Sequence, residues 1–399
     1  MSRKLPTTAV VHEWFDKLAG SERVVEQILG VYPHADLFAV CDFMSPENRE
    51  FLANRKIQTS FIQRLPFARS RFRNYLPLMP LAIEQLDLRP YEVVISSNHA
   101  VAKGVLTGPD QLHLCYIHTP IRYAWDLAQS YLEGSGLASG LKSAVVRLIL
   151  HYLRLWDQAA AARVDVFIAN SRYVARRIRK YYRREAEVIY PPVDVEAFPL
   201  QTNKDDYYLA ACRLVPYKRM DLVVSAFARM PQRKLVVIGE GPDLPLIRKI
   251  APPNVQVLGY QPRAELVRHM QCARALVFAA EEDFGILPVE AQACGTPVIA
   301  LGKGGSLETV LDGETGVFFP EQTCESIEEA VACFEKSVEQ FEPHRIRAHA
   351  EQFRVERFRQ EFRESSKRHY DQFFSGLTKD SSYAVNGSSM SPRTNPIAR

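Results

Sequence analysis

The sequence predicts an α/β protein built from two doubly wound domains that face each other across a cleft. In both halves of the chain, short apolar segments rich in β-branched residues alternate with helical stretches. Repeated β–α units of this kind form parallel sheets with helices on both faces. The length of 399 residues exceeds what one ordinary hydrophobic core accommodates. The adjacent prolines Pro191 and Pro192 fit neither a central strand nor a helix interior, so we predict the hinge there.

The first half predicts a doubly wound domain over residues 1–193. Apolar residues recur at helical spacing from Ser21 onward, and Ser171 is placed to cap a helix over residues 173–182. Predicted strands cover residues 8–11, 35–41, 92–96, 111–117, 164–169 and a segment from Ile189.

The second half restarts the pattern and predicts another domain over residues 194–352. An amphipathic helix over 353–374 follows, and the Ser-, Asn-, Pro- and Gly-rich segment 375–399 is expected to be a disordered tail. Predicted strands are 207–211, 234–238, 255–258, 275–278, 297–300 and 316–319, and predicted helices are 220–230, 264–272 and 288–294.

Composition excludes several classes of protein. The seven cysteines form no C-x-x-C pair and no Cys/His cluster at zinc spacing, which argues against a disulfide framework or structural zinc and favours a reducing cytoplasm. The sequence contains no signal-peptide core and no apolar run of membrane-spanning length. Charge is uneven: residues 1–190 carry 25 Lys/Arg against 18 Asp/Glu, and residues 191–399 carry 25 against 28. The first half should therefore favour anionic partners.

The strongest motif runs from Glu281 to Glu290 and follows a predicted strand. A helix is expected to begin near residues 285–287, and its unpaired N–H groups form a ready site for a diphosphate. Glu282 lies before this helix start and Glu290 at least one turn inside it, so the two carboxylates could accept hydroxyl hydrogens from a sugar and a ribose. Acidic residues near a helix start are also ordinary dipole partners. The downstream Ala-Cys-Gly-Thr-Pro sequence favours the binding interpretation.

A second motif, Arg213-Leu-Val-Pro-Tyr-Lys218, directly follows the predicted strand 207–211. It puts two cations at the carboxyl end of a strand, where ligands of doubly wound folds bind. Arginine can hold a phosphate bidentately, and lysine supplies a compact charge. Two cations in a loop are usually just solvated, but the first motif favours a functional interpretation.

Together the two motifs, E-x-F-G-I-x-x-x-E and R-x-x-x-x-K, resemble the retaining glycosyltransferases of family 4, which have the GT-B fold. The stretch from Tyr116 to Asp126 further resembles the subgroup of WbaZ-type mannosyltransferases of O-antigen assembly, which implies GDP-mannose as donor. The resemblance also implies that the last helix crosses back onto the N-terminal domain. It covers most of the chain and includes residues 18–23, 117–120, 169–171, 239–242 and 304–310.

The resemblance implies roles for individual residues. Arg213 and Lys218 would hold the donor diphosphate, Glu290 would accept from the ribose, and Glu282 would accept from the donor sugar. The N–H groups of Gly285 and Ile286 would face the sugar or phosphate, and Gly20 would let the first loop approach the diphosphate. His118 would contact the donor sugar near its anomeric centre; a lone histidine is more often structural, but the His-Thr-Pro context favours function. Many relatives have a Gly-Gly pair where this sequence has Gly20-Ser21.

The family also implies retention of anomeric configuration, giving an α-mannosyl product on a polyprenyl-diphosphate-linked saccharide in bacterial polysaccharide or lipopolysaccharide assembly. Retaining glycosidases use two carboxyl groups about 5 Å apart. The sequence shows no second pair for that role, so front-face displacement, with charge stabilisation by the cations, is the better expectation. No convincing Asp-x-Asp motif is present, so we expect no cofactor beyond the donor and no metal.

Two basic stretches, 64–73 and 172–184, flank a segment whose residues Leu141, Val145, Leu148, Tyr152 and Leu155 share one helical face. That face could pack in the core, or it could dock on an anionic bilayer at the inner face of the cytoplasmic membrane. Nucleic-acid binding lacks any accompanying motif.

Three other functions stay open: a glycosyltransferase with a UDP-sugar donor, a non-hydrolysing UDP-sugar 2-epimerase, and a non-catalytic nucleotide-sugar-binding subunit.

Overall fold

A computed structural model describes residues 6–386, apart from residues 127, 130, 131 and 133–138. Its strands form two sheets in which every described pairing is parallel. The first sheet contains β1 (Thr8–Phe15), β2 (Asp36–Asp42), β3 (Ile57–Thr59), β4 (Val93–Asn98), β5 (Leu112–Ile117), β6 (Val166–Ala169) and β7 (Glu187–Val188). The second contains β8 (Tyr208–Ala211), β9 (Leu235–Ile238), β10 (Val255–Gly259), β11 (Ala275–Phe278), β12 (Val298–Leu301) and β13 (Gly316–Phe319).

The strand orders are those of doubly wound domains. The first sheet runs β3-β2-β1-β4-β5-β6-β7 and the second β10-β9-β8-β11-β12-β13. Strand order therefore reverses between β1 and β4, and again between β8 and β11. In such sheets ligands bind beyond the carboxyl ends of the strands at the reversal, which places two candidate edges in the molecule.

Helices cover both faces of each sheet, so strands such as β4 and β5 are buried along their whole length. In the first half they are α1 (Gly20–Val31), α2 (Ala68–Arg71), α3 (Met79–Glu84), α4 (Leu141–Ala161) and α5 (Arg172–Tyr182). In the second half they are α6 (Met220–Ala228), α7 (Leu244–Ile250), α8 (Arg263–Cys272), α9 (Ile286–Ala293), α10 (Ser306–Thr309), α11 (Cys324–Lys336) and α12 (Pro343–Ala350), followed by α13 (Val355–Asn386). This architecture confirms the predicted fold class of two doubly wound domains. The chain passes from one sheet to the other within residues 189–207, the stretch that contains the predicted boundary after residue 193.

The last helix, α13, returns to the first domain. Phe358 and Phe362 pack in the core of the first sheet, and Arg359 Nε donates to Gln27 Oε1 of α1 at 2.8 Å. The crossover is confirmed, but its predicted end at residue 374 is wrong, because the helix continues to Asn386. A helix that packing has already nucleated gains one hydrogen bond for each residue added, so a polar composition alone does not end it. The remainder of the predicted tail, 387–399, lies outside the described residues.

Candidate functional site

The loops that carry both charged motifs meet where the second sheet reverses its strand order. β8 leads into the loop of Arg213 and Lys218, and its neighbour β11 leads into Glu282. Lys218 and Glu282 form an ion pair, with side chains only 15% and 19% exposed. Arg213 is exposed and has no ion pair among the described residues. The structure thus brings together two of the three charged groups and leaves the third pointing to solvent.

The Lys218–Glu282 pair keeps the lysine charged. Burial, the largest single effect, would lower the pKa of the Lys218 ammonium group, but the charge and hydrogen bond of Glu282, together with Tyr217 and Cys212, outweigh it, and the pKa is raised. Lys218 therefore stays cationic over the physiological pH range. A ligand diphosphate bound here would contact Lys218 either together with Glu282 or in place of it.

The N-terminus of α9 opens onto the same place. Gly285 caps the helix in the left-handed region, at φ 87°, and Ile286 is its first helical residue, as predicted. α9 has no side-chain N-cap, and Pro288 at its third position has no N–H. Within the described part of the chain, the N–H groups of Gly285, Ile286 and Leu287 find no acceptor, so they are available to an anion.

Gly20 brings the first domain to this helix start. A Cβ at Gly20 would lie 3.0 Å from Ile286 Cδ1, which is tighter than ordinary van der Waals contact. Glycine therefore allows the β1–α1 loop to approach α9 closely; its predicted approach to the donor diphosphate stays a prediction. The loop is held by Glu22, whose carboxylate accepts hydrogen bonds from Ala19 N at 3.1 Å and Ser21 Oγ at 3.0 Å.

Glu290 lies on α9, and its carboxyl group has an unusual pKa. Burial raises the pKa of its carboxyl group to about 7, although the cations Arg263 and Arg23 counteract the rise. No hydrogen bond to its carboxylate is found among the residues described. Near neutral pH this carboxyl group can therefore accept a hydrogen bond from a ligand hydroxyl or donate one.

His118 follows β5 on the first domain, and a chain of hydrogen bonds fixes its tautomer. His12 Nδ1 lies 3.2 Å from the carbonyl oxygen of Ser97 and 3.2 Å from its Oγ. Since a carbonyl oxygen only accepts, His12 Nδ1 carries a proton. Among the described residues His118 Nε2, at 2.8 Å, is then the one acceptor left for the hydroxyl hydrogen of Ser97. The proton of His118 therefore sits on Nδ1.

The surroundings of His118 keep it neutral. Burial, together with the nearby His99 and His12, holds its pKa well below the usual value. His12 Nε2 in turn faces Glu22 at 3.5 Å. The pKa of the Glu22 carboxyl group is lowered to about 2: burial would raise it, but the interactions with His12, the backbone and Ser21 together outweigh burial. Sequence reasoning missed His12, Ser97 and Glu22. For His12 and Ser97 the signal that could have found them is a polar residue inside an otherwise apolar strand.

A set of side chains joins the two domains, and we call it the interdomain latch. It consists of Tyr173 and Arg177 of α5 in the first domain and Glu281, Asp283 and Glu308 in the second. The carboxylate of Glu308 accepts from the backbone N–H groups of Arg172 and Tyr173, both at 2.8 Å, and so caps α5 from the other domain. Tyr173 Oη donates to Glu281 Oε1 at 2.7 Å. Arg177 forms ion pairs with Asp283 and with Asp126. Glu281 and Asp283 flank Glu282, so the latch holds the backbone on both sides of that residue.

Comparison with known families accounts for both domains. Residues 4–197 match the family described as Glycosyltransferase Family 4, and residues 192–352 match Glycosyl transferases group 1. The two matches together span residues 4–352.

Curated relatives resemble about half of the chain. A D-inositol 3-phosphate glycosyltransferase of Kribbella flavida is 30% identical over 211 residues, which cover 45% of this chain and 50% of the relative. A GDP-mannose-dependent alpha-(1-6)-phosphatidylinositol monomannoside mannosyltransferase of Mycolicibacterium smegmatis is 32% identical over 200 residues, covering 42% and 52%. The chain therefore spans about half the length of the curated relatives it matches.

Solved structures share the fold over nearly the whole chain. Sucrose-phosphate synthase from Thermosynechococcus elongatus superposes with a TM-score of 0.69 at 16% identity, covering 93% of this chain and all of that one. HepE from Anabaena, in complex with UDP and glucose, gives a TM-score of 0.64 at 16% identity, covering 90% and 99%. At this identity the likeness shows the fold alone, which is that of GT-B glycosyltransferases.

Proposed function

Because this chain belongs to the glycosyltransferases of the family 4 type, we propose that it transfers a hexose from a nucleotide-sugar donor to an acceptor hydroxyl. We further propose GDP-mannose as donor, an α-mannosyl product, and a polyprenyl-diphosphate-linked saccharide as acceptor. The reaction belongs to bacterial polysaccharide or O-antigen assembly at the inner face of the cytoplasmic membrane. It needs no metal, and the cations of the chain neutralise the diphosphate.

One observation carries the proposal: a buried lysine paired with Glu282 lies beside the open N-terminus of α9 at the strand-order reversal. Lys218 and the unpaired N–H groups provide positive charge for a diphosphate that gains charge as the sugar leaves. Arg213 is exposed and free to reach the same phosphates. Glu282 supplies an acceptor for hydroxyl groups of the donor sugar.

His118 contributes from the facing domain. A neutral imidazole with its proton on Nδ1 is a hydrogen-bond donor on the side away from Ser97. It therefore orients a sugar oxygen rather than abstracting a proton. The acceptor hydroxyl passes its proton to the departing phosphate in a front-face displacement, and configuration at the anomeric carbon is retained.

The donor identity rests on two supports. The stretch from Tyr116 to Asp126 resembles mannosyltransferases, and the relative from Mycolicibacterium smegmatis is a GDP-mannose-dependent mannosyltransferase. HepE, in contrast, binds UDP, so UDP-sugars form the alternative donor class.

The test is thermal unfolding of the protein with GDP-mannose, GDP, UDP-glucose, UDP-N-acetylglucosamine or ADP-glucose. A ligand at 100 times its Kd adds about 2.7 kcal/mol to the stability of the native state. We expect selective stabilisation by GDP and GDP-mannose, and loss of that effect in Lys218→Ala. Selective stabilisation by a UDP-sugar would overturn the GDP-mannose assignment and return the UDP-sugar 2-epimerase to consideration.

Product analysis separates the remaining alternatives. A transferase releases GDP only when an acceptor is present, whereas an epimerase converts its sugar nucleotide without one. Tight donor binding without turnover on any lipid-linked acceptor would instead indicate a non-catalytic binding subunit.

A further inference from the structure

Helix α4 is apolar on two opposite faces, and only one of them is covered. Its inner face packs into the first domain, where Leu150 and Leu153 contact a cluster that includes Ile121 and Ala124. The outer face lies in solvent, with side chains between 44% and 85% exposed. The outer face of α4 consists of Leu141, Val145, Leu148, Tyr152 and Leu155.

This exposure excludes the first of the two alternatives, in which the outer face of α4 packs in the core. The five side chains recur every three or four residues, so they form one straight stripe about 21 Å long on a helix that rises about 1.5 Å per residue. A helix that is apolar all round is normally buried all round. A continuous apolar stripe on a soluble surface marks a site of interaction.

The charges along α4 are all of one sign where they meet solvent. Lys142 lies on one side of the outer face, and Arg147 lies on the other. The only acidic residue of the helix, Asp157, is fully buried and paired with Lys103. An apolar stripe with cationic flanks is the pattern of helices that lie in the interface of anionic membranes.

The neighbouring segment extends this character. Leu76 contacts the same apolar cluster as the inner face of α4. In the segment around Leu76, Phe67, Leu78 and Leu81 are exposed apolar residues, and Arg69 and Arg71 are exposed cations.

We propose that the outer face of α4 docks on an anionic lipid bilayer, with the apolar stripe in the headgroup region and Lys142 and Arg147 against lipid phosphates. No helix in the described ranges is both long and apolar enough to span a bilayer, and α4 engages it along one face. In the proposed function, the acceptor is taken from this membrane surface. Only that connection between docking and the acceptor rests on the proposed function.

A bilayer fits the surface better than a second copy of the chain. In a symmetric pair, each α4 would bring its cations against those of its partner, and α4 has no exposed carboxylate to compensate them. An anionic membrane supplies the missing negative charge over the whole face.

The docking face is also connected to the candidate site. Arg154 Nη1 of α4 donates to the carbonyl oxygen of Ala124 at 2.9 Å, and Trp125 Nε1 donates to Asp157 at 2.8 Å. The segment held in this way also carries Arg122, whose guanidinium donates to the carbonyl oxygen of Glu281, the first residue of the motif that ends at Glu290. The segment 122–125 therefore connects α4, the proposed membrane contact, to the cleft.

The experiment is sedimentation of the full chain with vesicles of phosphatidylcholine alone or with 30% phosphatidylglycerol, in about 0.1 M salt. We expect binding to the anionic vesicles only, weaker at higher salt. The double variant Leu148→Ser/Leu155→Ser should reduce vesicle partitioning at least about tenfold. Leu246→Ser is the matched control, because Leu246 is an exposed leucine on α7 of the other domain. Lys142→Glu should weaken binding, and Lys249→Glu should not.

Each other outcome contradicts the proposal. Equal binding by the Leu148→Ser/Leu155→Ser variant and the control would remove α4 from the membrane contact. Concentration-dependent dimers that dissociate in the same double variant, without vesicle binding, would assign the face to a second copy. The assay contains no donor or acceptor, and nucleotide-induced stabilisation of the same variants reports the donor site separately.

Discussion

At the scale of single residues, the candidate site depends on charges that burial makes unusual. Lys218 keeps its charge because Glu282 pairs with it, whereas Glu290 has no such partner and is expensive to ionise. A carboxyl group of this kind destabilises the folded protein when it is charged. Binding sites commonly retain such groups because a ligand uses them.

Glu290→Gln should therefore stabilise the protein at high pH. The pKa of Glu290 is raised from 4.5 to about 7 on folding, so the native state favours the protonated form. Its contribution to stability is complete below pH 4.5 and is lost as the pH rises through 7, which amounts to at most about 3 kcal/mol. The amide that this substitution introduces does not ionise, so the variant should melt higher than the parent at pH 8 and equally near pH 4.5.

Thermal unfolding between pH 4.5 and 8 measures this difference. Glu329→Gln is the control, since Glu329 is an exposed glutamate of α11. Donor nucleotide should bind the Glu290→Gln variant about tenfold more weakly, ~1.4 kcal/mol, because the ribose hydroxyls lose a charged hydrogen-bond acceptor. A stability gain that does not change with pH would contradict the assigned titration.

Single residues were also where sequence reasoning had its clearest limit. The helix start at Gly285 and Ile286 could be predicted because the chemistry of a helix start is local. The close contact of Gly20 with Ile286 could not, because it joins two domains. The hydrogen bonds from His12 through Ser97 to His118 could not, because they connect three different strands or strand ends. Only the strand order brings those side chains into one row.

At the scale of elements, the start of α9 needs a left-handed backbone conformation and also forms the candidate anion site. Gly285 has a φ of 87°, a region that costs other residues about 1–2 kcal/mol. The nearest atoms to a Cβ there would belong to Pro288 and Phe278, at ordinary contact distance, so the strain lies in the backbone and not in a clash. Relief of that strain would turn the first N–H groups of the helix.

Gly285→Ala should therefore lower stability and donor affinity together. The matched control is Gly313→Ala, since Gly313 has a similar φ of 75° and open space around its Cβ position. Both variants should lose about 1–2 kcal/mol of unfolding free energy. Only Gly285→Ala should also raise the Kd of the donor nucleotide, measured by calorimetry. Unchanged donor affinity in Gly285→Ala would show that the helix start does not bind the ligand.

Elements were predicted well where their cores are regular. β11 and β13 have the predicted bounds, because each is a short apolar run between turn residues. β3 was missed, because three residues of mixed exposure carry no readable pattern. For α4, both the core-packing and the membrane interpretation followed from the same residues, and only its surroundings in the fold show which face is open.

At the scale of the whole molecule, the interdomain latch couples the two sheets. A helix N-terminus leaves unpaired N–H groups, and here the first ones of α5 are satisfied by Glu308 of the other domain. Arg177, buried at the interface, bonds both Asp283 and the Thr119 hydroxyl, the latter at 2.9 Å. The residues that close the cleft thus adjoin both His118 and Glu282. The contacts that join the two domains therefore also hold the residues next to His118 and Glu282.

Glu308→Ala should separate closure from folding. Without the carboxylate, the N–H groups of Arg172 and Tyr173 bond to water when the domains part, so open forms gain population while each core stays intact. We expect a larger radius of gyration by small-angle scattering, a stability loss below about 1 kcal/mol, and a kcat/KM about tenfold lower, ~1.4 kcal/mol. Glu314→Ala, an exposed glutamate six residues further on, is the control and should match the parent. If saturating donor restores the compact radius, the free energy of donor binding is coupled to the latch. An unchanged radius with unchanged turnover would mean that other contacts hold the domains and that Glu308 serves α5 alone.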